Sequence, residues 1–308
     1  MKKKKILYLL VGLAIFLASC NKRQVIPDNG RPNVVTTTTL VGDLVENIGQ
    51  DRVNVISLMG PGVDPHMYKA SAGDVTNMQA ADMIIYSGLH LEGKMGDIFE
   101  NLAHIDKLIL SVTEDIPKSS LLDFESSPGN FDPHVWFDVS MWKQAAISVA
   151  GGLEELMPEE ADFFQANLEA YLLELDQLDD YIRSRAQELD REQRILVTAH
   201  DAFSYFGRAY DFQVKGLQGI STSAEAGTSN VRDLANFIVE REIKAVFVES
   251  SVPRKSIEAL QEAVRAQGFQ LDIGGELYSD STGSRGTEAE SYVGTLKANI
   301  DTIVDALK

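Results

Sequence analysis

The chain has 308 residues, 44% apolar and 24% charged, which argues against disorder throughout and leaves room for one large domain or two ordinary ones. Its 46 acidic against 28 basic residues give a net charge of −18, and that argues against nucleic acid as a partner, because phosphate binding needs a basic field. One cysteine excludes an internal disulfide framework and any thiolate cluster, and five histidines are few enough to trace singly.

Lys2 to Lys5 form a cationic start, and Ile6 to Ala18 is a nearly unbroken apolar run of 13 residues. A helix needs roughly 20 to span a bilayer, so the run is short for a transmembrane anchor, which is the competing reading. Leu17-Ala18-Ser19-Cys20 follows, and the whole resembles a secretory signal peptide of the bacterial lipoprotein type. That resemblance implies removal of residues 1–19, a lipid on Cys20, and a protein held at a membrane surface outside the cytoplasmic membrane, in the periplasm or at the cell surface. Removal deletes four lysines and no acid, leaving 24 basic against 46 acidic residues. Residues 20–32 carry Pro27, Gly30 and Pro32 and read as a flexible tether. No phosphate-cradling Gly-rich motif is present, and ATP or NAD is not expected in that compartment.

Beyond the tether, the predicted elements alternate. Asn33 to Thr38, Val53 to Leu58, Met83 to Gly88 and Leu108 to Val112 read as strands, with helical spacing over Leu40 to Ile48 and Ala72 to Ala81. Pro158 suits the first turn of a helix, and Glu159 through Leu196 holds no Gly or Pro. Apolar residues fall at Phe164, Leu168, Tyr171, Leu175, Leu178, Ile182, Ala186 and Leu189, one buried stripe. Pro158 to Asp190 would be about 50 Å long at roughly 1.5 Å per residue. Either a coiled-coil dimer uses that stripe, or a single helix lies along two domains; resumption of the α/β pattern favours the second. Arg194 to Thr198, Phe212 to Leu217 and Ala245 to Val248 read as strands. Ala202 to Tyr210, Val231 to Glu242, Ser256 to Gln267 and Tyr292 to Leu307 read as helices. The expected fold is α/β, with two lobes, each a mainly parallel sheet flanked by helices, joined by one long rigid helix. The lobes span 33–155 and 193–308, the linking helix 156–192, and the cleft between the lobes is the default ligand site.

His66 lies in Asp64-Pro65-His66-Met67-Tyr68, His134 in Asp132-Pro133-His134-Val135-Trp136, and His200 ends the strand Val197-Thr198-Ala199-His200. Ligands of open parallel sheets bind beyond the carboxyl ends of the strands, so these three can face one cleft. Imidazole suits zinc, manganese and iron, and a hard carboxylate often completes the set. Asp280, on a Gly/Ser-rich loop after the apolar stretch 269–273, is the candidate from the second lobe.

Over nearly its whole mature length the chain resembles the solute-binding lipoproteins of zinc and manganese ABC transporters. The matching segments are the two Asp-Pro-His stretches, Ala199-His200-Asp201-Ala202-Phe203, Phe247-Val248-Glu249-Ser250-Ser251 and Gly275-Glu276-Leu277-Tyr278-Ser279-Asp280. The resemblance implies His66, His134, His200 and Asp280 as ligands of one divalent cargo metal, Zn2+ or Mn2+. It also implies delivery to an ABC permease whose ATPase is a separate chain, a monomer, and no catalysis. Manganese-selective members often carry Glu where this chain has His200, and zinc-specific members often carry a His-rich acidic loop where Ile116 to Asn130 holds no histidine. Three nitrogens and one carboxylate favour zinc in raw affinity. The alternatives are a zinc hydrolase and a surface adhesin of the same family. Four protein ligands leave little room for the hydrolytic water of an enzyme, and no His-Glu-x-x-His helix is present.

His90 and His104 lack the Asp-Pro setting and read as surface or packing residues. Asp64 and Asp132 either orient the nearby imidazoles or shape the turns before their prolines. Glu249 reads as a helix cap ahead of Pro253 rather than a support for a ligand. Phe203, Phe206 and Tyr210 read as core packing, and Glu159-Glu160 and Asp179-Asp180 as solvated faces of the long helix.

Overall fold

The structure, a computed structural model, describes residue 27 and residues 29–103, 107–123 and 129–308. The leader, Cys20 and His104 lie outside the described residues. Where the description begins, the tether is pinned: Asn29 and Asn54 exchange two side-chain amide hydrogen bonds of 2.9 Å.

In the first lobe, strands β1 (Asn33–Thr36), β2 (Asn54–Ser57), β3 (Met83–Tyr86) and β4 (Leu108–Ser111) form one parallel sheet in the order β2-β1-β3-β4. Helices α1 (Thr39–Gly49), α2 (Ala72–Ala80), α3 (Gly96–Ala103) and α4 (Val139–Leu156) accompany it. Side chains start three of them: Thr38 accepts the Val41 N–H, Ser71 and Asp74 form a reciprocal box, and Asp138 accepts the Ser140 N–H.

The chain then enters α5 (Ala161–Ala186) through a 3-10 turn at Pro158–Glu160. The stripe from Phe164 to Ala186 is buried at all seven positions, against α1, α4 and the C-terminal helix of the same chain. The stripe is thus satisfied within one chain, as the single-helix reading requires. The helix is shorter than the sequence predicts, ending at Ala186 rather than Asp190 and spanning about 39 Å. Asp190 instead caps a new 3-10 turn, Arg191–Gln193, trading bonds with Gln193; a short acidic side chain there supports a new start better than another helical turn.

The second lobe holds β5 (Ile195–His200) paired parallel with β6 (Gln213–Gln218), and β7 (Ala245–Glu249) paired parallel with β8 (Asp272–Leu277), with β5 beside β7. Helices α6 (Ser204–Tyr210), α7 (Thr228–Glu240), α8 (Lys255–Arg265) and α9 (Tyr292–Leu307) complete it. The sequence puts Gly274 and Gly275 on a loop, yet both lie within β8, beside a register shift at Val246/Phe247. Their missing side chains let α9 lie directly on the strand: a Cβ on Gly274 would sit 2.6 Å from Ala306 Cβ, and one on Gly275 2.5 Å from Thr302 Cγ2.

One apolar cluster runs through α1, α4, α5, α6 and α9 and includes residues of both lobes, among them Trp136, Trp142, Phe203, Phe206, Phe247 and Tyr292. Each lobe adds a smaller cluster beneath its outer helices. The lobes therefore share a core instead of meeting across a loose hinge.

Candidate metal centre

His200 closes β5, Glu249 closes β7, and Asp280 lies three residues beyond β8. His66 is on the loop after β2, and His134 precedes a 3-10 turn that leads into α4. All five side chains thus gather between the lobes, where the strands deliver their carboxyl ends. One ligand atom from each of His66, His134, His200 and Asp280 lies within 4.8 Å of the others. The Nε2 atoms of His66 and His134 are 3.3 Å apart, and Asp280 Oδ1 is 3.5 Å from His134 Nε2 and 3.6 Å from His200 Nε2. His66 is 5% exposed, Asp280 1%, and the other two not at all.

Carboxylates fix the backs of two rings. Asp132 Oδ1 meets His134 Nδ1 at 2.7 Å and accepts the His134 main-chain N–H at 2.9 Å, so this residue both shapes the turn and orients the imidazole. Glu249 Oε2 meets His200 Nδ1 at 2.5 Å, and its Oε1 accepts the His200 N–H at 2.8 Å. The helix-cap reading of Glu249 is therefore corrected: it grips a histidine 49 residues away, across β5 and β7. Asp64 takes only the turn role, accepting the His66 N–H at 2.9 Å without touching the ring. In Asp280, Oδ2 accepts from Ser251 Oγ at 2.6 Å, which leaves Oδ1 for the centre.

Sequence reasoning also missed Ser251, Trp136 and Tyr205. Trp136 Nε1 donates to Ser279 O at 2.9 Å, and Tyr205 O–H to Asp132 O at 2.9 Å; each bond crosses the cleft next to a residue of the centre. A hydroxyl or indole reaching another segment's carbonyl leaves no spacing signal. His90 is exposed, as read. Phe203, Phe206 and Tyr210 are buried in the core, also as read. Glu159 and Asp180 are solvated, whereas half-buried Glu160 pairs with Arg52 at 2.9 Å and Asp179 with Arg183 at 2.8 Å.

The electrostatics call for a cation. Asp132, Glu249 and Asp280 are buried, and among the described residues their ionic partners are histidines, with no Lys or Arg. Burial pulls the His134 imidazole down, but the carboxylates of Asp132 and Asp280 outweigh it and raise it to about 9. Burial likewise opposes a charge on His200, and Glu249 with Asp280 hold it well above the usual range. His66, with no carboxylate bonded to its ring, is driven by burial to about 3 against the opposing pull of Asp280. His200 Nε2 and Asp280 Oδ1 are buried with no hydrogen-bond partner, an expensive state for inward-facing polar atoms unless an ion satisfies them. Three nitrogens and a carboxylate oxygen within 4.8 Å fit a divalent transition metal.

Comparison with known proteins adds an independent line. Residues 34–306 match the family model described as ZnuA, zinc-uptake complex component A, periplasmic. The chain is 50% identical over 279 residues to the zinc-binding protein TroA of Treponema pallidum, covering 91% of this chain and 90% of that one. It is 46% identical over 275 residues to the manganese-binding lipoprotein MntA of Bacillus subtilis, covering 89% of each. The solved structure of the periplasmic zinc-binding protein TroA from Treponema pallidum superposes with a TM-score of 0.88 at 51% identity, covering 90% of this chain and 99% of that one.

Proposed function

The chain belongs to the ZnuA family of zinc-uptake components, and from that premise we propose that it captures one Zn2+ or Mn2+ outside the cytoplasmic membrane and hands it to an ABC permease for import. The observation that carries this reading is the convergence of His66, His134 and His200 with Asp280 Oδ1, two of whose donor atoms are buried without partners. The metal is cargo: when bound, it would supply positive charge to the buried carboxylates in place of the ring protons that Asp132, Glu249 and Asp280 favour on His134 and His200 without it. Asp132 and Glu249 hold Nδ1 of His134 and His200, so that Nε2 faces inward. Three imidazoles with one carboxylate favour zinc over manganese in raw affinity.

Lipidation of Cys20 would keep the protein beside its permease, a role supported by the lipobox in Leu17-Ala18-Ser19-Cys20 and by the lipoprotein name of the Bacillus subtilis relative. No helix among the described residues is long and apolar enough to cross a membrane.

The test is competitive loading of residues 21–308 with zinc and manganese, read by mass spectrometry beside His66→Ala and Asp280→Ala. One metal per wild-type chain, lost in both variants, is expected. Wild-type protein without stoichiometric metal would sink the reading.

A further inference from the structure

The two carboxylate oxygens of Asp280 have different surroundings. Oδ1 lies 3.5 Å from His134 Nε2 and 3.6 Å from His200 Nε2, and it is buried with no hydrogen-bond partner. Oδ2 is engaged from behind. Ser251 Oγ donates to it at 2.6 Å, and Ser279 Oγ lies 2.8 Å from Ser251 Oγ and 3.4 Å from Oδ2. An ionised carboxylate only accepts, so the Ser251 proton points at Oδ2, and the shorter of the two Ser279 contacts places its proton on Ser251 Oγ. The backbone beneath these hydroxyls is fixed. Ser250 N–H donates to Leu277 O at 2.9 Å, which carries the pairing of β7 with β8 past Glu249 to the neighbour of Ser251. Ser279 is buried, and Trp136 Nε1 holds its carbonyl at 2.9 Å.

We propose that Ser251 is a metal-selectivity residue, whose hydroxyl holds Oδ2 of Asp280 back so that the carboxylate meets the cargo chiefly through Oδ1. The proposal rests on the metal-carrier reading above. Three imidazole nitrogens and one carboxylate oxygen make a four-donor set, which suits the tetrahedral preference of zinc. Manganese favours more oxygen donors and a higher coordination number. Asp280 could supply a further oxygen by turning Oδ2 inward, but only by giving up the Ser251 bond. A bond of 2.6 Å to a charged oxygen sets that cost at roughly tenfold in affinity. Ser251, Ser279 and Asp280 all lie in the second lobe, so the restraint does not depend on how the lobes are placed.

The test measures zinc and manganese affinities of the mature chain by competition with a chelating dye. Beside them it records the visible spectrum of the Co2+-loaded protein, which is intense with four donors and weakens with five or six. Ser251→Ala removes the hydroxyl, and Ser251→Ala/Ser279→Ala also removes the neighbour that could reach Oδ2 in its place. In the double variant the zinc-to-manganese affinity ratio is expected to fall roughly tenfold, with a weaker Co2+ absorption. Ser251→Ala should move both readings in the same direction. A merely structural role would weaken both metals alike and leave the ratio and the Co2+ intensity at their wild-type values. A ratio within twofold of wild type in the double variant, with an unchanged Co2+ intensity, would overturn the proposal. Wild-type protein that takes up none of the three metals would instead sink the metal-carrier reading itself.

Discussion

Glu249 holds His200 by both ends, one carboxylate oxygen on the main-chain N–H at 2.8 Å and the other on Nδ1 at 2.5 Å. Both residues terminate neighbouring strands and both are buried, so the imidazole has one tautomer and one direction. Glu249→Gln leaves one oxygen and replaces the other acceptor with an amide donor. The proton then belongs on Nε2, the atom that faces the metal. Zinc affinity is expected to fall about 10- to 100-fold with an unchanged circular dichroism spectrum. Competition with a chelating dye measures it; an affinity within threefold of wild type would show that Glu249 does not set the tautomer.

The same pair marks the limit of what the sequence can say. The Asp-Pro-His repeat is local and could be read, as could the 3.6-residue stripe of α5 and the alternation of strands and helices. Glu249 acts across 49 residues of chain, and its nearest sequence signal, Pro253, points to a helix start. Tyr205 lies 73 residues from Asp132 and carries no motif. The continuation of β8 through Gly274 and Gly275 was hidden for a related reason. Glycine has no strand propensity of its own, and only the proximity of α9 explains it there.

Gly275 makes that tertiary requirement testable. Its φ of +152° is one that residues with a Cβ rarely adopt, and the added atom would meet Thr302 on α9. Gly275→Ala is expected to cost about 1–3 kcal/mol from the backbone alone, and more if α9 must move. Asp280 follows five residues later, so metal affinity should fall as well. Denaturant unfolding gives the stability change; a variant as stable as wild type would mean that the strand and α9 can separate freely.

A core shared between the lobes predicts joint unfolding and little hinge motion. Leu175 is fully buried in α5, and Leu175→Ala should cost about 2–5 kcal/mol through lost contacts and a cavity. Calorimetry of wild type and variant should show one transition, shifted down as a unit in the variant. Scattering profiles with and without zinc should differ only slightly. Two separate transitions, or a wide open-to-closed change in scattering, would show that the lobes behave as independent bodies.

Asp43 joins the two ends of the molecule, accepting the N–H of Tyr292 at the start of α9 at 3.1 Å and the Asn47 side-chain amide at 3.2 Å. Burial raises its carboxyl from 3.8 to about 7; the Tyr292 N–H opposes this, and Glu46, Glu174 and Glu290 add to it. The folded state thus binds this proton more tightly than the unfolded chain. Stability from this group is fully present below about pH 4 and is lost as pH rises toward 7. Asp43→Asn keeps an acceptor for Tyr292 and removes the charge. The variant should match wild type near pH 4 and exceed it at pH 8 by roughly 2 kcal/mol, a value discounted for the partial exposure of the carboxylate. Comparing the two proteins at each pH removes the titration of the metal centre, which both share. An equal difference at both pH values, or a less stable variant at pH 8, would show that Asp43 is charged and well solvated in the folded protein.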